Sequence, residues 1–420
     1  MKRMNFRQKM RPAAIVVITA FCMLPLKGAG QKSETEKNID NIRKGEIIIK
    51  ARPKAKVQVE QTAHEFWFGC AIPNSLADGM MRETDKKQFQ EKFLQNFNSA
   101  VTENAVKWGT MERQKGAIDY SVIDGILNWT EENNIPLRGH NLFWGIPKFI
   151  QPWVKELTDD ELELAIRNRA ETLTARYKGR FAEYDLNNEM VHGNYYEERL
   201  GPDITKKMAE WSINGDPEIK LWLNDYDILT GNKLPEYMAQ IRSLLKQKVP
   251  VAGIGVQGHL HAETFDRHQL KNALDSLAQF NLPIRVTEFN IPGQRSKHYQ
   301  ERIFTLTDEE ELQKATELVD YYTICFAHPA VDGIIMWGFW EGANWIPVSS
   351  LYKRDWSPTP AAEAYRNLIF KEWWTNAETK TNRKGELSVR AFFGKYKITV
   401  DGKMKEIDLP KEKGKVIVEF

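Results

Sequence analysis

Short apolar runs recur along the middle of the chain, and polar or aromatic residues follow each of them. Eight runs have the length and composition of buried strands, at 66–72, 98–104, 136–140, 183–189, 221–225, 251–259, 283–288 and 331–338. From the third onward they begin about 30 to 50 residues apart, the spacing that a strand, a helix and their loops require. The pattern therefore predicts an α/β fold, a closed (β/α)8 barrel of ordinary size, with an open doubly wound sheet as the alternative.

The segments between these runs contain the signals of helix starts. Thr158 and Thr307 are each followed by three acidic residues and then by apolar residues at helical spacing. A threonine side chain caps the first free N–H groups of a helix, and acidic side chains are favourable at the positive end of its dipole. We therefore expect helices to begin at both positions and to belong to the scaffold.

Both ends of the chain outside this region are β-like, because apolar and polar residues alternate there. The alternating segments are 45–51, 56–61, 387–394, 395–403 and 415–420. Asp401-Gly402 is a typical hairpin turn between two such strands. We expect the two tails to pack together as a small β-sandwich with Phe392, Phe393 and Tyr396 in its core, and a sugar-binding surface is the alternative.

The first thirty residues have the pattern of a cleavable secretory signal peptide. Basic residues come first, at Lys2, Arg3, Arg7, Lys9 and Arg11. A run of apolar residues, 13–26, follows them; it is too short to span a membrane as a stable helix. Phe21 is too bulky to precede a lipid-modified Cys22. We expect export to the periplasm or the medium, without a lipid anchor or stable membrane insertion.

The predicted organisation thus has four parts. They are a signal peptide at 1–30, an N-terminal β segment at 31–63, a barrel at 64–370 and a C-terminal β tail at 371–420. The whole chain has a formal net charge of +2, and the signal peptide holds six basic and no acidic residues, so its removal leaves −4. A nucleic-acid partner is therefore not expected. Cys70 and Cys325 remain after processing, and we expect two buried thiols and no disulfide.

Two glutamates, Glu189 and Glu288, each close one of the strand-like runs. Parallel barrel strands end at the face where their loops build the active site, so carboxylates there can point into a cleft. Two such carboxylates are the minimum apparatus for glycoside hydrolysis, whereas a solvated strand-end glutamate is the alternative for either one alone. The sequence has no HExxH, paired-cysteine or GxxxxGK[ST] pattern, so metal catalysis and phosphate chemistry are not expected.

Further motifs follow one another in chain order, each on its own predicted strand. They are VTENAVKW at 101–108, RGHNLFW at 138–144, DLNNE at 185–189, LNDYD at 223–227, GVQGH at 255–259, VTEFN at 286–290 and IMWGFW at 335–340, with Trp345 following. Together they resemble glycoside hydrolase family 10, whose best-known members are endo-β-1,4-xylanases that act by retention on a (β/α)8 barrel. The resemblance implies hydrolysis of xylan or xylo-oligosaccharides without metal or organic cofactor, and we expect a monomer.

Carried over residue by residue, the resemblance makes Glu189 the general acid/base and Glu288 the nucleophile. Retention requires the two carboxyl groups to be about 5 to 5.5 Å apart. Burial and the like charge of Glu288 should raise the pKa of Glu189, while hydrogen bonds from neighbours such as His259 should keep Glu288 ionised. The two groups should titrate as a coupled pair.

The resemblance also implies a set of substrate-binding residues. They are Glu103, Asn104, Lys107, His140, Trp144, Asn188, Tyr226, Gln257, His259, Trp337 and Trp345. Asn188 would donate to the sugar 2-hydroxyl, and the first three would hold the sugar one unit further from the bond that is cut. The tryptophans would form the cleft walls, and Tyr226 would serve the leaving-group side.

The chain departs from the common pattern of the family at several positions. Gly145 stands where many members have His, and Asn290 stands where the usual residue after the nucleophile motif is Asp. These changes and the loop GIPKFIQPWV at 145–154 are more similar to the plant-type branch of the family. The changed loops also motivate an alternative function, a non-catalytic barrel that binds xylo-oligosaccharides without cleaving them.

Overall fold

The structure, a computed structural model, describes residues 33–420. The predicted signal peptide lies outside these residues. The strands are β1 (Lys44–Lys50), β2 (Lys56–His64), β3 (Trp67–Ile72), β4 (Ser99–Thr102), β5 (Leu137–Gly139), β6 (Phe143–Trp144), β7 (Glu183–Asn188), β8 (Leu221–Asp225), β9 (Val251–Val256), β10 (Ile284–Phe289), β11 (Val331–Met336), β12 (Asn376–Lys380), β13 (Glu386–Phe392), β14 (Gly394–Val400), β15 (Lys403–Leu409) and β16 (Lys415–Glu419).

Helices cover the outside of the sheet that the central strands form. They are α1 (Glu34–Arg43), α2 (Glu83–Asn96), α3 (Trp108–Met111), α4 (Ser121–Glu132), α5 (Pro152–Lys155), α6 (Asp159–Arg176), α7 (Tyr195–Leu200), α8 (Ile204–Gly215), α9 (Leu234–Lys246), α10 (Arg267–Ala278), α11 (Lys297–Gln300), α12 (Asp308–Phe326) and α13 (Pro360–Asn367). Short 3-10 turns lie at Asn74–Leu76, Pro147–Phe149 and Pro347–Ser349, and a π-helical turn lies at Leu368–Glu372. Within residues 33–420, no helix combines the length and the apolar character needed to cross a bilayer.

Eight parallel strands close into a barrel, which confirms the predicted fold. The hydrogen-bonded order is β5-β4-β3-β11-β10-β9-β8-β7, and β7 pairs with β5 to close the ring. Each of the eight predicted runs contains one of these strands. The two-residue strand β6, which pairs with the end of β7, was not predicted. Because all the strands are parallel, their carboxyl ends meet at one face, where the connecting loops can build a site.

The helix starts predicted at Thr158 and Thr307 are confirmed. Each threonine hydroxyl accepts from the backbone N–H three residues later, and the glutamate at that position accepts from the threonine N–H. These reciprocal bonds form capping boxes at the starts of α6 and α12. Leu162, Ile166 and Leu173 of α6 are buried against the barrel, so the helix is held mainly by its apolar face.

The barrel interior contains a buried network of charges. Arg138 of β5 is fully buried and donates to both Glu183 and Asp185 of β7. Arg285 of β10 also donates to Glu183, and it forms a second ion pair with Asp332. Each guanidinium group therefore has a carboxylate partner, which offsets the cost of removing both charges from water.

The two tails form a small sandwich, as predicted. One sheet has the order β13-β1-β16 and the other the order β12-β2-β14-β15. Phe392, Phe393 and Tyr396 are buried, in agreement with a core role, but only Phe393 and Tyr396 lie in the core of the sandwich, whereas Phe392 packs on Phe326 in the core of the barrel. Asp401 and Gly402 have φ values of 46° and 85° and connect β14 to β15, the left-handed pair that a tight hairpin turn requires.

The two cysteines of the described region are free and buried, as expected.

Candidate active site

Glu189 immediately follows β7, where the chain leaves the barrel. Its φ of 59° is left-handed, and its N–H donates to the carbonyl of Asn224 at 2.9 Å. The partly buried carboxyl group accepts two hydrogen bonds, from Trp144 Nε1 at 2.7 Å and from Gln257 Nε2 at 2.9 Å. A donor on each oxygen fixes the orientation of the carboxyl group.

Glu288 lies within β10 and is only 4% exposed. Its Oε1 atom accepts from Nδ2 of Asn224 at 2.9 Å, and its Oε2 atom lies 3.3 Å from Nε2 of His259. The Thr287 hydroxyl donates to Oδ1 of Asn224 at 2.6 Å. Since that oxygen is occupied, the amide NH2 group of Asn224 faces the carboxyl group.

Two series of contacts connect these carboxyl groups. Asn224 accepts from the Glu189 N–H through its carbonyl and donates to Glu288 through its side chain. Gln257 donates to Glu189, and its Oε1 atom lies 2.9 Å from Nε2 of His259, beside Glu288. Because both neighbours of this nitrogen are acceptors, it carries the imidazole proton. Both glutamates line one cleft of about 440 Å³ at the carboxyl ends of the strands.

Burial raises the pKa of both carboxyl groups. For Glu189 the charge of Asp225 adds to the effect of burial. For Glu288, burial and the charge of Glu189 raise the pKa well above its usual range, against the opposing charge of Lys107. The expected hydrogen bonds favour an ionised Glu288, but they do not offset burial and the charge of Glu189, an effect that the sequence did not show. The two groups titrate as a pair that holds a proton at pH values where separate glutamates would have lost theirs.

The structure brings ten of the eleven predicted binding residues to the wall of this cleft. They are Glu103, Asn104, Lys107, His140, Trp144, Tyr226, Gln257, His259, Trp337 and Trp345. Asn188 is the exception, because it is fully buried behind the wall. Its Oδ1 atom accepts from Asn224 at 2.9 Å, and its Nδ2 atom has no partner among the residues that the structure describes.

Lys107 lies between the carboxyl pair and one end of the cleft. Its ammonium group donates to Oδ1 of Asn104 at 2.9 Å and lies 4.7 Å from the ring centre of Trp144. Burial lowers the pKa of Lys107, although the charges of Glu288 and Glu189 act in the opposite direction. Burial likewise raises the pKa of Glu103.

His140 and His259 are uncharged parts of the wall at neutral pH. Burial lowers the pKa of His140 to about 4, even though its Nδ1 atom lies 2.7 Å from Oδ2 of Asp185. Burial lowers the pKa of His259 to about 3. Through Asp185, His140 is connected to the buried charges in the barrel interior, so its ring has a fixed position.

Aromatic rings form the sides of the cleft. Trp144 stacks on Phe149 with ring centres 3.8 Å apart and an interplanar angle of 23°. On the other side, Trp345 packs edge-on against His259 at 5.1 Å and Tyr299 at 5.4 Å. Trp345 is 39% exposed, so part of its ring is available for contact with a ligand. Aromatic faces at these positions suit the C–H surfaces of sugar rings.

Tyr226 is held by a motif that the sequence did not reveal. Its ring stacks on His192 with centres 3.5 Å apart and an interplanar angle of 15°. Asp225 accepts from the Tyr226 and Val191 N–H groups and lies 2.7 Å from Nδ1 of His192. A buried carboxylate therefore fixes both stacked rings.

Sequence reasoning missed several residues of the site. Lys148, Phe149, Gln294 and Tyr299 line the cleft but lie between the strands, in a 3-10 turn, a loop and the short helix α11, where no strand end marks them. Asn224 was part of a quoted motif, and only the structure shows that it contacts both glutamates. In the part of the chain from 33 to 420, no three His, Cys, Asp or Glu side chains are grouped as metal ligands would be.

Comparison with known proteins decides the family. The sequence profile of glycosyl hydrolase family 10 matches residues 59–368, which include the whole barrel and every residue of the cleft. The chain belongs to glycosyl hydrolase family 10. The resemblance inferred from the strand-end motifs is thereby confirmed.

Three relatives of this family 10 protein are similar to it over most of its length. Anti-sigma-I factor RsgI6 of Acetivibrio thermocellus is 32% identical over 90% of this chain and 48% of its own length. Endo-1,4-beta-xylanase 1 of Arabidopsis thaliana is 31% identical over 92% of this chain and 39% of its own length, and endo-1,4-beta-xylanase 2 is 33% identical over 82% and 31%. The chain thus spans about half or less of these relatives, and the Arabidopsis proteins fit the predicted plant-type branch.

A solved structure shows the same fold. Xylanase 10B from Thermotoga petrophila RKU-1, in complex with xylobiose, has a TM-score of 0.66 and 23% identity. The match covers 82% of this chain and 99% of that chain.

The departures from the common family 10 pattern have definite places in the structure. A Cβ atom at Gly145 would lie 3.1 Å from the carbonyl of Gly193, so the packing there is close. Asn290 accepts from Trp345 Nε1 at 3.1 Å and donates to the Ser349 hydroxyl at 2.8 Å. Asn290 therefore holds one of the cleft walls.

Proposed function

We propose that this protein is a retaining endo-β-1,4-xylanase that cuts internal bonds of xylan by double displacement. The observation that carries the proposal is the convergence of Glu189 and Glu288 on one cleft, joined by Asn224 and by Gln257 with His259. Membership of family 10 and the names of the Arabidopsis relatives support the same substrate class.

In the proposed reaction, Glu288 attacks the anomeric carbon while Glu189 donates its proton to the departing glycosidic oxygen. Water then hydrolyses the glycosyl–Glu288 ester, with Glu189 acting as the base. The productive state has the shared proton on Glu189. Asn224 and His259 direct N–H groups at the Glu288 oxygens and favour its ionised form, whereas Trp144 and Gln257 act in the opposite direction at Glu189.

The cleft lining assigns places to the substrate on either side of this pair. Glu103, Asn104 and Lys107 offer charged and amide groups to sugar hydroxyls on the side away from the leaving group. Tyr226, fixed by His192, is proposed to contact the leaving-group sugar. Asn188 lies behind the cleft wall, so no substrate contact is assigned to it.

We further propose that the protein is exported after cleavage of a signal peptide within residues 1–30, and that it acts as a monomer without a cofactor. The basic and apolar order of that segment supports export.

The direct test of the proposed function is the variant Glu288→Gln. It keeps the shape of the side chain but removes the nucleophilic oxygen charge, so turnover of xylan in a reducing-sugar assay should fall by at least about four orders of magnitude. An unchanged circular dichroism spectrum and melting temperature would show that the variant folds. Normal activity in this variant would contradict the assignment.

The alternative, a barrel that binds xylo-oligosaccharides without cleaving them, is less favoured. A pure binding site has no need for two buried carboxyl groups that are hydrogen-bonded from several sides and line the same cleft. The wild-type protein distinguishes the two functions, because binding of xylan without new reducing ends would support the alternative.

A further inference from the structure

The cleft continues into a second cavity of about 660 Å³ beyond the stacked rings of Trp144 and Phe149. The two cavities share Asn104, Lys107 and Lys148 in addition to these rings. The second cavity, called the basic groove below, therefore extends the substrate path on the Glu103 side of the catalytic pair.

The charge of the basic groove differs from that of the cleft. Lys107, Arg113 and Lys148 line it, and within residues 33–420 no Asp or Glu side chain does. The cleft itself contains three glutamates, Glu103, Glu189 and Glu288, against two lysines. Binding of a neutral polysaccharide would not require the lining to change from mainly negative in the cleft to positive in the groove.

The cations at the outer part of the groove are not used by the fold. Arg113 and Lys148 are exposed, and in the described part of the chain neither has a carboxylate partner within 4.0 Å. The ammonium group of Lys148 lies over the Phe149 ring, 4.7 Å from its centre. They are thus available to an anionic group of a ligand.

A buried amide supplies independent evidence of a polar ligand in the groove. Gln151 is 7% exposed and lines the groove, and its Nε2 atom has no hydrogen-bond partner among residues 33–420. A buried donor without an acceptor costs free energy in the empty protein. An oxygen of a bound ligand would satisfy it once the side chain turns toward the groove, since the Nε2 atom itself has no contact with solvent.

We propose that the basic groove binds the carboxylate of a uronic acid side group on the xylan chain, and that it makes this protein prefer acidic xylan. The inference rests on the proposed function and specifies its substrate. Arg113 and Lys148 would contact the carboxylate, Gln151 would donate to a hydroxyl or carboxylate oxygen, and the rings of Trp144 and Phe149 would support the sugar faces.

The test uses two matched substrates. One is a xylo-oligosaccharide with a single glucuronic acid side group, and the other is the same molecule with its carboxyl group reduced to an alcohol. The ratio of their kcat/KM values measures the contribution of the charge alone. At low ionic strength the wild-type protein should prefer the acid by about fivefold, since exposed ion pairs are individually weak, and 1 M salt should bring the ratio close to one.

Arg113 provides the decisive variants, because it lines the groove and not the cleft. Arg113→Lys should keep the preference, Arg113→Gln should lower it about two- to threefold, and Arg113→Glu should lower it further or reverse it. Lys155→Gln is the matched control: this exposed cation lies close in sequence but lines neither cavity, and it should leave the ratio as in the wild type.

A wild-type ratio of one, or a ratio that Arg113→Glu leaves unchanged, would overturn the inference. Calorimetric binding of both oligosaccharides to the Glu288→Gln variant gives the same comparison without turnover. An acid preference in binding together with no hydrolysis of either substrate by the wild type would support the groove and reject the proposed activity. Hydrolysis of both substrates at equal rates would support the proposed activity and reject the role of the groove.

Discussion

The hydrogen bond from Trp144 to Glu189 offers a sharp test of how the site sets the proton on its acid. The indole Nε1 donates to Oε2 of Glu189 at 2.7 Å. This bond favours the ionised carboxylate, so it lowers the pKa of Glu189 against the effect of burial. The variant Trp144→Phe removes the donor and keeps an aromatic ring in the wall.

The size of the effect follows from the strength of this bond. A hydrogen bond to a charged group contributes about 1.5 to 3 kcal/mol, and about 1.4 kcal/mol corresponds to one pH unit. Glu189 is only partly buried, so water would replace some of what is lost. We therefore expect the lower end of the range, a displacement of about one pH unit.

The assay is the pH dependence of kcat/KM on a soluble xylo-oligosaccharide. The general acid must be protonated, so activity falls on the alkaline side as Glu189 loses its proton. Because the variant raises the pKa of Glu189, the alkaline limb should move to higher pH. The maximal rate should also fall, since the indole packs on Phe149 in the cleft wall.

Trp345→Phe is the matched control for this experiment. It also shortens an aromatic wall residue, but its indole N–H donates to the amide oxygen of Asn290 and to no carboxylate. The alkaline limb should stay where it is in the wild type. The reasoning about the Glu189 proton is refuted if the alkaline limb of kcat/KM lies at the same pH in both variants, or if Trp144→Phe moves it to lower pH.

Three further results are expected. Arg138→Met should lower the free energy of unfolding in urea by about 3 kcal/mol or more, because Asp185 loses its only guanidinium partner in the described residues and Glu183 keeps only Arg285. Arg167→Met at an exposed pair should cost less than about 1 kcal/mol, and equal losses would contradict the buried network. Glu189→Ala should lose far more activity on substrates with poor leaving groups than on activated aryl glycosides, and equal losses would exclude an acid role. Burial lowers the pKa of His64 to about 3, so the unfolded protein binds a proton at this residue before the folded protein does as the pH falls below about 6.5. His64→Phe should therefore remove about 1.4 kcal/mol per pH unit from the loss of stability between about pH 6.5 and 3. An unchanged dependence of stability on pH would contradict this.

The barrel could be predicted because each of its strands is recognisable from its own local sequence. Strand β10, for example, is a run of 6 residues with β-branched Ile284 and Val286, and its short length and the preceding Pro283 distinguish it from a helix. The pairing of β5 with β7 that closes the barrel has no signal of its own in the sequence, which is why an open sheet stayed the alternative until the structure showed it. Strand β6 has only two residues, which is too few for any periodicity.

The site was predictable to the extent that its residues lie at strand ends. Glu189, Gln257 and Glu288 follow or close strands and were found, whereas Tyr299 and Phe149 belong to a short helix and a 3-10 turn in the connections, whose position depends on long-range packing. The ionisation of Glu288 was misjudged because the sequence shows which donors are near but not how deeply the carboxyl group is buried. The Arg138 network was missed for a similar reason, because alternation in a strand does not show what faces the barrel interior.

The most direct test of the central claim is to trap the covalent intermediate. A 2-deoxy-2-fluoro xylobioside with an activated leaving group should form a glycosyl-enzyme that breaks down slowly, because fluorine destabilises the oxocarbenium-like transition state of both steps. Mass spectrometry of the digested protein should then locate one added xylobiosyl unit on the peptide that contains Glu288. Attachment at any other residue, or hydrolysis of xylan with inversion and no adduct, would contradict the account.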